Sequence, residues 1–295
     1  MKKHIIRYAS FALAILGMFS CSEEVETTSR YKDAQSTPMT FAVNYPGQSR
    51  ATATSFESND KIGLYVAESK APLEIGGNLV NNEALTYDGS KWEAARTLYW
   101  DEGTYNAYAY IQGISSTTDQ PFSVALDQST PKTATAPGGY EASDLLFATS
   151  KDIQASNSPI SLNFKHIMSK RKIRLIKGED FEGDMPTHAQ VTIHSTVPTA
   201  TIDLQAGVAT RYVKGTQQSI IAHQESDYIY SAIIVPQRIE NRRPLIEVVM
   251  KGVSYLYESR FQFKPGTEHL VNFIISDNPD QVKIEIGGEI QNWGK

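Results

Sequence analysis

Thr104-Tyr105-Asn106-Ala107-Tyr108-Ala109-Tyr110-Ile111 decides the fold class. Tyr105, Ala107, Ala109 and Ile111 share one parity, Asn106, Tyr108 and Tyr110 the other, and Asp101-Glu102-Gly103 precedes them as a turn. A period of two is the signature of a strand with one buried face. The pattern recurs in both directions. Upstream, Thr40–Tyr45 ends at Pro46-Gly47, and Lys61–Ala67 follows Ser58-Asn59-Asp60. Downstream, Ile160, Leu162 and Phe164 alternate with Ser161, Asn163 and Lys165, and Ala189, Val191 and Ile193 with Gln190, Thr192 and His194. Tyr255, Tyr257, Phe261 and Phe263 share a parity, Pro265-Gly266-Thr267 turns into Leu270–Ile275, and Asn278-Pro279-Asp280 turns into Val282–Ile286. Nowhere does an apolar 3.6-residue stripe persist for three turns. Short strands at this spacing predict an all-β sandwich, and the length predicts two in tandem, joined near residues 166–175.

The N-terminus carries a different signal. Lys2, Lys3 and Arg7 precede an apolar run from Phe11 to Phe19, the layout of a secretory signal too short to span a membrane as a stable helix. Gly17-Met18-Phe19-Ser20-Cys21 resembles a bacterial lipobox, and Cys21 is the only cysteine in the chain. Residues 1–20 therefore read as a lipoprotein signal peptide and Cys21 as the acylated new N-terminus, tethered to the outer membrane by lipid. Loss of the signal moves the formal net charge from −5 to −8, because three cations leave and no acid does. That acidity argues against nucleic acid as a partner. Without further cysteines, neither disulfides nor thiolate metal sites hold the fold, so stability rests on burial. Ser22–Pro38, with Glu23, Glu24 and Glu26 among Ser, Thr and Gln, closes a flexible tether over residues 21–38.

No catalytic arrangement is legible. The chain has no G-x-S-x-G elbow, no phosphate-cradling G-x-x-x-x-G-K and no H-E-x-x-H pair, and it calls for no cofactor. His4 leaves with the signal, and His166, His188, His194, His223 and His269 lie on separate segments without ligand spacing. The chain is read as a non-enzyme. Lys165, Lys170, Arg171, Lys172, Arg174 and Lys177 form a basic run. It reads as the solvated face of a strand burying Ile173 and Leu175, with the extra cations in a linker; a site for anionic lipid or polysaccharide is the rival reading. Trp92, Tyr99, Trp100, Tyr105, Tyr108 and Tyr110 read as core packing, with a sugar-binding groove as the rival.

Taken in order, these segments resemble the fimbrillin family of the Bacteroidia over about residues 39–295. Asp60-Lys61-Ile62-Gly63-Leu64-Tyr65 is similar to an early family strand, and Leu98-Tyr99-Trp100 with Tyr105–Tyr110 to a later aromatic segment, although Ile111-Gln112 stands where proline is common. Asp144-Leu145-Leu146-Phe147-Ala148, Phe164-Lys165-His166-Ile167-Met168-Ser169-Lys170, Phe263-Lys264-Pro265-Gly266-Thr267 and Trp293 also fit, with Arg171 replacing a usual apolar residue. The resemblance implies two transthyretin-like β-sandwiches, assigned here to residues 39–168 and 169–295, in a surface fimbrial subunit or adhesin exported as a lipoprotein. It also implies cleavage after an arginine between the first two strands, which removes the first strand and lets a neighbour's strand fill the slot. The matching residue is Arg50, with Ala51 as the new N-terminus; Arg30 is the alternative. The candidate donor strand lies near residues 282–293, with Val282, Ile284, Ile286 and Ile290 on one parity. Expected partners are other fimbrial subunits, the outer membrane before processing, and, for a tip role, a ligand on a host or bacterial surface. A monomeric surface lipoprotein that binds glycan is the alternative, and it needs an exposed aromatic platform around Trp92, Trp100 or Tyr110.

Overall fold

Alternating short strands bounded by Pro, Gly, Asn and Asp leave little room for helix, and the chain obeys this. The structure is a computed structural model and describes residues 37–46, 56–111, 120–280, 282–291 and 293, all within one compact unit, Ser36–Lys295. Among the described residues the only α-helix is the five-residue α1 (Gly139–Ser143). Everything else regular is strand.

A six-stranded sheet runs β4 (Trp92–Ala94), β3 (Val80–Tyr87), β2 (Lys61–Glu68), β5 (Thr104–Ile111), β7 (Leu146–Gln154), β9 (Lys165–His166). Opposite it lies a two-stranded sheet of β1 (Phe41–Asn44) and β8 (Ile160–Asn163), paired in parallel. Ile62, Leu64, Ala107 and Ala109 meet Ile160 and Leu162 in the core between them. The chain then changes sheets. β10 (Ser169–Lys177) is the middle of a five-stranded sheet, with β16 (Ile229–Ile234) and β15 (His223–Ser226) on one side and β19 (Thr267–Ile275) and β20 (Lys283–Gln291) on the other. A four-stranded sheet of β14 (Gln218–Ile221), β11 (Gln190–Thr196), β17 (Gln237–Met250) and β18 (Val253–Phe263) shares a second core with it.

The halves are not separate beads. β6 (Gln120–Ser123) belongs to the first half in sequence, yet it pairs with β12 (Thr199–Asp203), which also pairs with β13 (Val208–Arg211). A little further on, the wholly buried Gln128 side chain accepts from the Ile233 amide at 2.8 Å and donates to the Ile233 carbonyl at 2.7 Å. Tyr65, Tyr108 and Phe147 of the six-stranded sheet are part of the second core, together with Ile202 and Ala209.

That packing corrects the expectation for β5. One parity was to be buried; instead all six residues from Tyr105 to Tyr110 are buried. The six-stranded sheet is covered on both faces, so Tyr108 and Tyr110 pack into the second core while Tyr105, Ala107 and Ala109 line the first. The reading of the basic run is corrected as well. Ile173 and Leu175 are buried as expected, but Lys170 and Arg171 are buried too, and neither lies in a linker. The Lys170 ammonium meets Glu225 at 2.9 Å and Glu268 at 3.1 Å, and Lys172 meets Glu225 at 2.8 Å. Burial alone would raise the Glu225 carboxyl, but the two lysines and the Ser231 hydroxyl outweigh it and hold it at about 2. Arg171 points the other way, its guanidinium 4.5 Å from the Phe261 ring centroid.

Candidate functional site

The first strand is short and enclosed. Met39, Phe41, Val43 and Tyr45 turn inward and Thr40, Ala42 and Asn44 outward, until Pro46 follows. Each β1 residue lies opposite the β8 residue 119 positions on, from Phe41 against Ile160 to Asn44 against Asn163. The Ile160 amide donates to the Thr40 carbonyl at 2.8 Å and the Phe164 amide to the Asn44 carbonyl at 3.0 Å. On the other side, the Met39 amide donates to the Leu98 carbonyl at 2.8 Å and the Trp100 amide to the Thr37 carbonyl at 2.9 Å. The segment thus lies in a slot, with β8 running parallel along Phe41–Asn44 and a single antiparallel bridge at Pro38 and Tyr99 on the other side of its lead-in. Met39 is buried, and Phe41, Val43 and Tyr45 pack partly buried against the first core. Full burial of such a side chain is worth about 1.5–3 kcal/mol, so the four together contribute on the order of 5 kcal/mol. Burial also pushes the Tyr45 hydroxyl above its usual pKa.

The last strand is held differently. β20 pairs antiparallel with β19 at the edge of its sheet, so among the described residues its outer backbone groups have no strand neighbour. Val282 and Ile284 pack against the core, but Ile286 is 85% exposed and Ile290 51%. Among these four residues, shared parity does not give a shared face. Ile286 lies opposite Val271 and Gly288 opposite Leu270, so Gly287 is an extra residue and the register shifts. Gly288 has φ +113°, which a side chain would resist, and a Cβ on Gly287 would fall 2.6 Å from Leu270 Cγ. Beyond the bulge, Glu289 lies opposite His269 and Ile290 opposite Glu268.

The far end is anchored by aromatic stacking. Trp293 is buried against the His166 ring, centroids 4.1 Å apart and planes 18° from parallel. His166 Nδ1 lies 2.9 Å from Asp144 Oδ1, which orients the imidazole. Next to this anchor, Glu289 takes Lys264 Nζ at 2.5 Å and faces His269 Nδ1 at 3.4 Å. His269 Nε2 accepts from the Lys264 amide at 3.1 Å. Burial, and then the Arg171 charge, lower the His269 pKa to about 4.

Cys21, Arg30, Arg50 and Ala51 lie outside the described residues. Trp92 is 7% exposed, Trp100 5% and Tyr110 1%, so the aromatic platform required by the glycan reading is spent on packing. Trp92 stacks on Tyr87 and meets Phe56 edge-on at 4.8 Å. Tyr99, 48% exposed, is the ring of that group most open to solvent. His194 bridges Ser219 and Glu247, and His188 faces Gln224. No group of three or more His, Cys, Asp or Glu able to hold a metal occurs among the described residues. Sequence reasoning missed the His166–Trp293 contact. Both residues sat in quoted motifs, but nothing local says that two segments so far apart meet.

The comparison with curated proteins found no match. Among solved structures, a candidate cell adhesion protein from Bacteroides ovatus superposes with TM-score 0.62 at 17% identity, over 87% of this chain and 96% of that one. One from Bacteroides uniformis gives 0.61 at 18% identity, over 85% and 99%. The tip fimbrial protein Mfa3 from Porphyromonas gingivalis, with a C-terminal truncation, gives 0.52 at 6% identity, over 87% and 100%. At these identities the likeness speaks for the fold. The family model described as fimbrillin-like matches residues 49–293, most of the sequence, and the chain therefore belongs to the fimbrillin-like family.

Proposed function

We propose that this protein is a fimbrial subunit that is exported as a lipoprotein on Cys21, cut after Arg50 and assembled by exchange of β-strands. Membership of the fimbrillin-like family supports the coarser statement, a structural, non-enzymatic fimbrial subunit or adhesin of the cell surface. The observation that carries the finer reading is the slot of β1: a four-residue strand paired with β8, with its lead-in Thr37–Met39 hydrogen-bonded on the other side to Leu98 and Trp100, lies over apolar walls and is followed closely in sequence by Arg50. Loss of such a strand leaves unpaired backbone and exposed apolar surface, and an incoming strand satisfies both. The C-terminal strand, with Val282, Ile284, Ile286 and Ile290, is the donor in this reading.

The mass of the mature N-terminus, taken from the native cell surface, tests the processing. A chain beginning at Ala51 is expected in assembled material, whereas an acylated Cys21 in the polymer overturns cleavage. Deletion of residues 282–295 tests the donor: assembly should be abolished, and polymer of normal length overturns that assignment.

A further inference from the structure

We infer that the outer edge of β18 is a seam at which a second copy of this chain pairs, antiparallel and two-fold, centred on Ser259. The seam uses neither β1 nor β20, so it goes beyond the strand-exchange reading without resting on it.

β18 is the long open edge of this protein. It closes the four-stranded sheet, and β17 is its one strand neighbour among the described residues. Every other edge strand among the described residues is four residues long or shorter, except β20, which the Gly287 bulge breaks. β18 runs for 11 residues. Its pairing with β17 is irregular, but the extra residues belong to β17, where Ile239 to Arg243 spans the stretch from Phe261 to Ser259. β18 itself therefore keeps its alternation. Leu256, Glu258, Arg260 and Gln262 are exposed, and Tyr257, Ser259 and Phe261 between them are half-buried. A long unpaired edge is a template for another strand, and protected edges carry proline, a bulge or an inward-pointing charge. β18 contains no proline and no charge on its inward parity.

Its two charges, Glu258 and Arg260, are opposite in sign and flank Ser259. In two-fold antiparallel pairing about Ser259, position 258 lies opposite 260, 257 opposite 261, and 255 opposite 263. Glu258 then meets the second copy's Arg260 on each side of the axis. Tyr257 meets Phe261, Tyr255 meets Phe263, and Leu256 lies along the stem of Gln262. Within one chain Arg260 makes no ion pair among the described residues, and Glu258 meets only the well-exposed Arg242, at 3.4 Å. The adjacent registers that keep both faces in place set Glu258 against Glu258 or Arg260 against Arg260. Charge thus selects the register centred on Ser259. The two four-stranded sheets become continuous, and the half-buried Tyr257 and Phe261 are covered from the side.

The test measures the mass of the uncleaved chain by sedimentation at rising concentration, with circular dichroism to check folding. Because β1 still fills its slot, any pairing seen there is not strand exchange. Wild type should pass from one copy to two. Glu258→Arg and Arg260→Glu each turn both attractive pairs repulsive, and each should weaken the dimer about tenfold or more. Both positions are exposed, so both variants should keep the wild-type spectrum. Mixed in equal amounts, the two variants should pair with each other as tightly as wild type, because every contact is again between opposite charges. The double variant Glu258→Arg with Arg260→Glu should recover by itself for the same reason. Wild type that stays monomeric overturns the seam. So do single variants that dimerise as wild type does, or a mixture that stays monomeric.

Discussion

A buried histidine next to a buried arginine couples the stability of this protein to pH. His269 is 1% exposed, faces Arg171, Lys264, Glu289 and Phe261, and has its pKa lowered from 6.5 to about 4. Between those values the unfolded chain binds a proton that the folded chain refuses, so the contribution is fully present above pH 6.5 and is lost as pH falls through about 4. A shift of that size corresponds to on the order of 3 kcal/mol. His269→Gln should therefore flatten the fall in stability between pH 6.5 and 4, measured by urea denaturation at each pH; parallel curves for variant and wild type would refute it. Nothing in the sequence announced this group. Arg171 stood out only as a cation where the family pattern has an apolar residue, and a charge on the inward parity of a strand reads as solvated until the ring beneath it is known. Lys170 was misread for a related reason, since its shielding partners Glu225 and Glu268 are contributed by distant strands.

Strands were legible wherever one face was apolar and the other polar, as in β8, whose residues alternate buried and exposed from Ile160 to Asn163. They were less legible where both faces were covered, as in β5, or where apolar residues were sparse. β3, Val-Asn-Asn-Glu-Ala-Leu-Thr-Tyr, buries only Val80 and Leu85 and gave no periodic signal. The bulge in β20 shows the limit of parity: period two predicts one face only while every residue pairs, and a single unpaired glycine reverses the assignment. Ile286, which precedes the bulge and pairs with Val271, separates stability from assembly. Ile286 is 85% exposed, so Ile286→Lys should change the stability of the monomer by less than about 0.5 kcal/mol. In the proposed exchange that side chain turns inward in the β1 slot of a neighbour, and a lysine there would bury an unpaired charge. Assembly of the cleaved chain should therefore fail while the melting curve stays put. A variant that melts early, or one that polymerises normally, would contradict the argument.

At the scale of the molecule, the all-β class was readable from turn spacing, but the way the halves share material was not. Sequence alternation describes each strand's own faces and carries nothing about which sheet will cover them. Here the segment between β5 and β7 leaves its own half, pairs β6 with β12, and seats Gln128 on both backbone groups of Ile233. Tyr65, Tyr108 and Phe147 follow by joining the second core, and the loop at Gly207 presses onto Phe147 so closely that a Cβ would lie 2.2 Å from its ring. Two sandwiches tied only by a linker would melt separately; two that share a core lose both when either opens. The cleaved or uncleaved monomer should accordingly show one calorimetric transition, with van't Hoff and calorimetric enthalpies in a ratio of about one. Gln128→Ala tests the coupling at a single point. It strands the Ile233 amide and carbonyl in the interior, at a cost of about 3 kcal/mol. If the halves are one cooperative unit, that loss lowers the single transition as a whole. A second transition, with the first half melting at its original temperature, would mean that the shared core does not couple them.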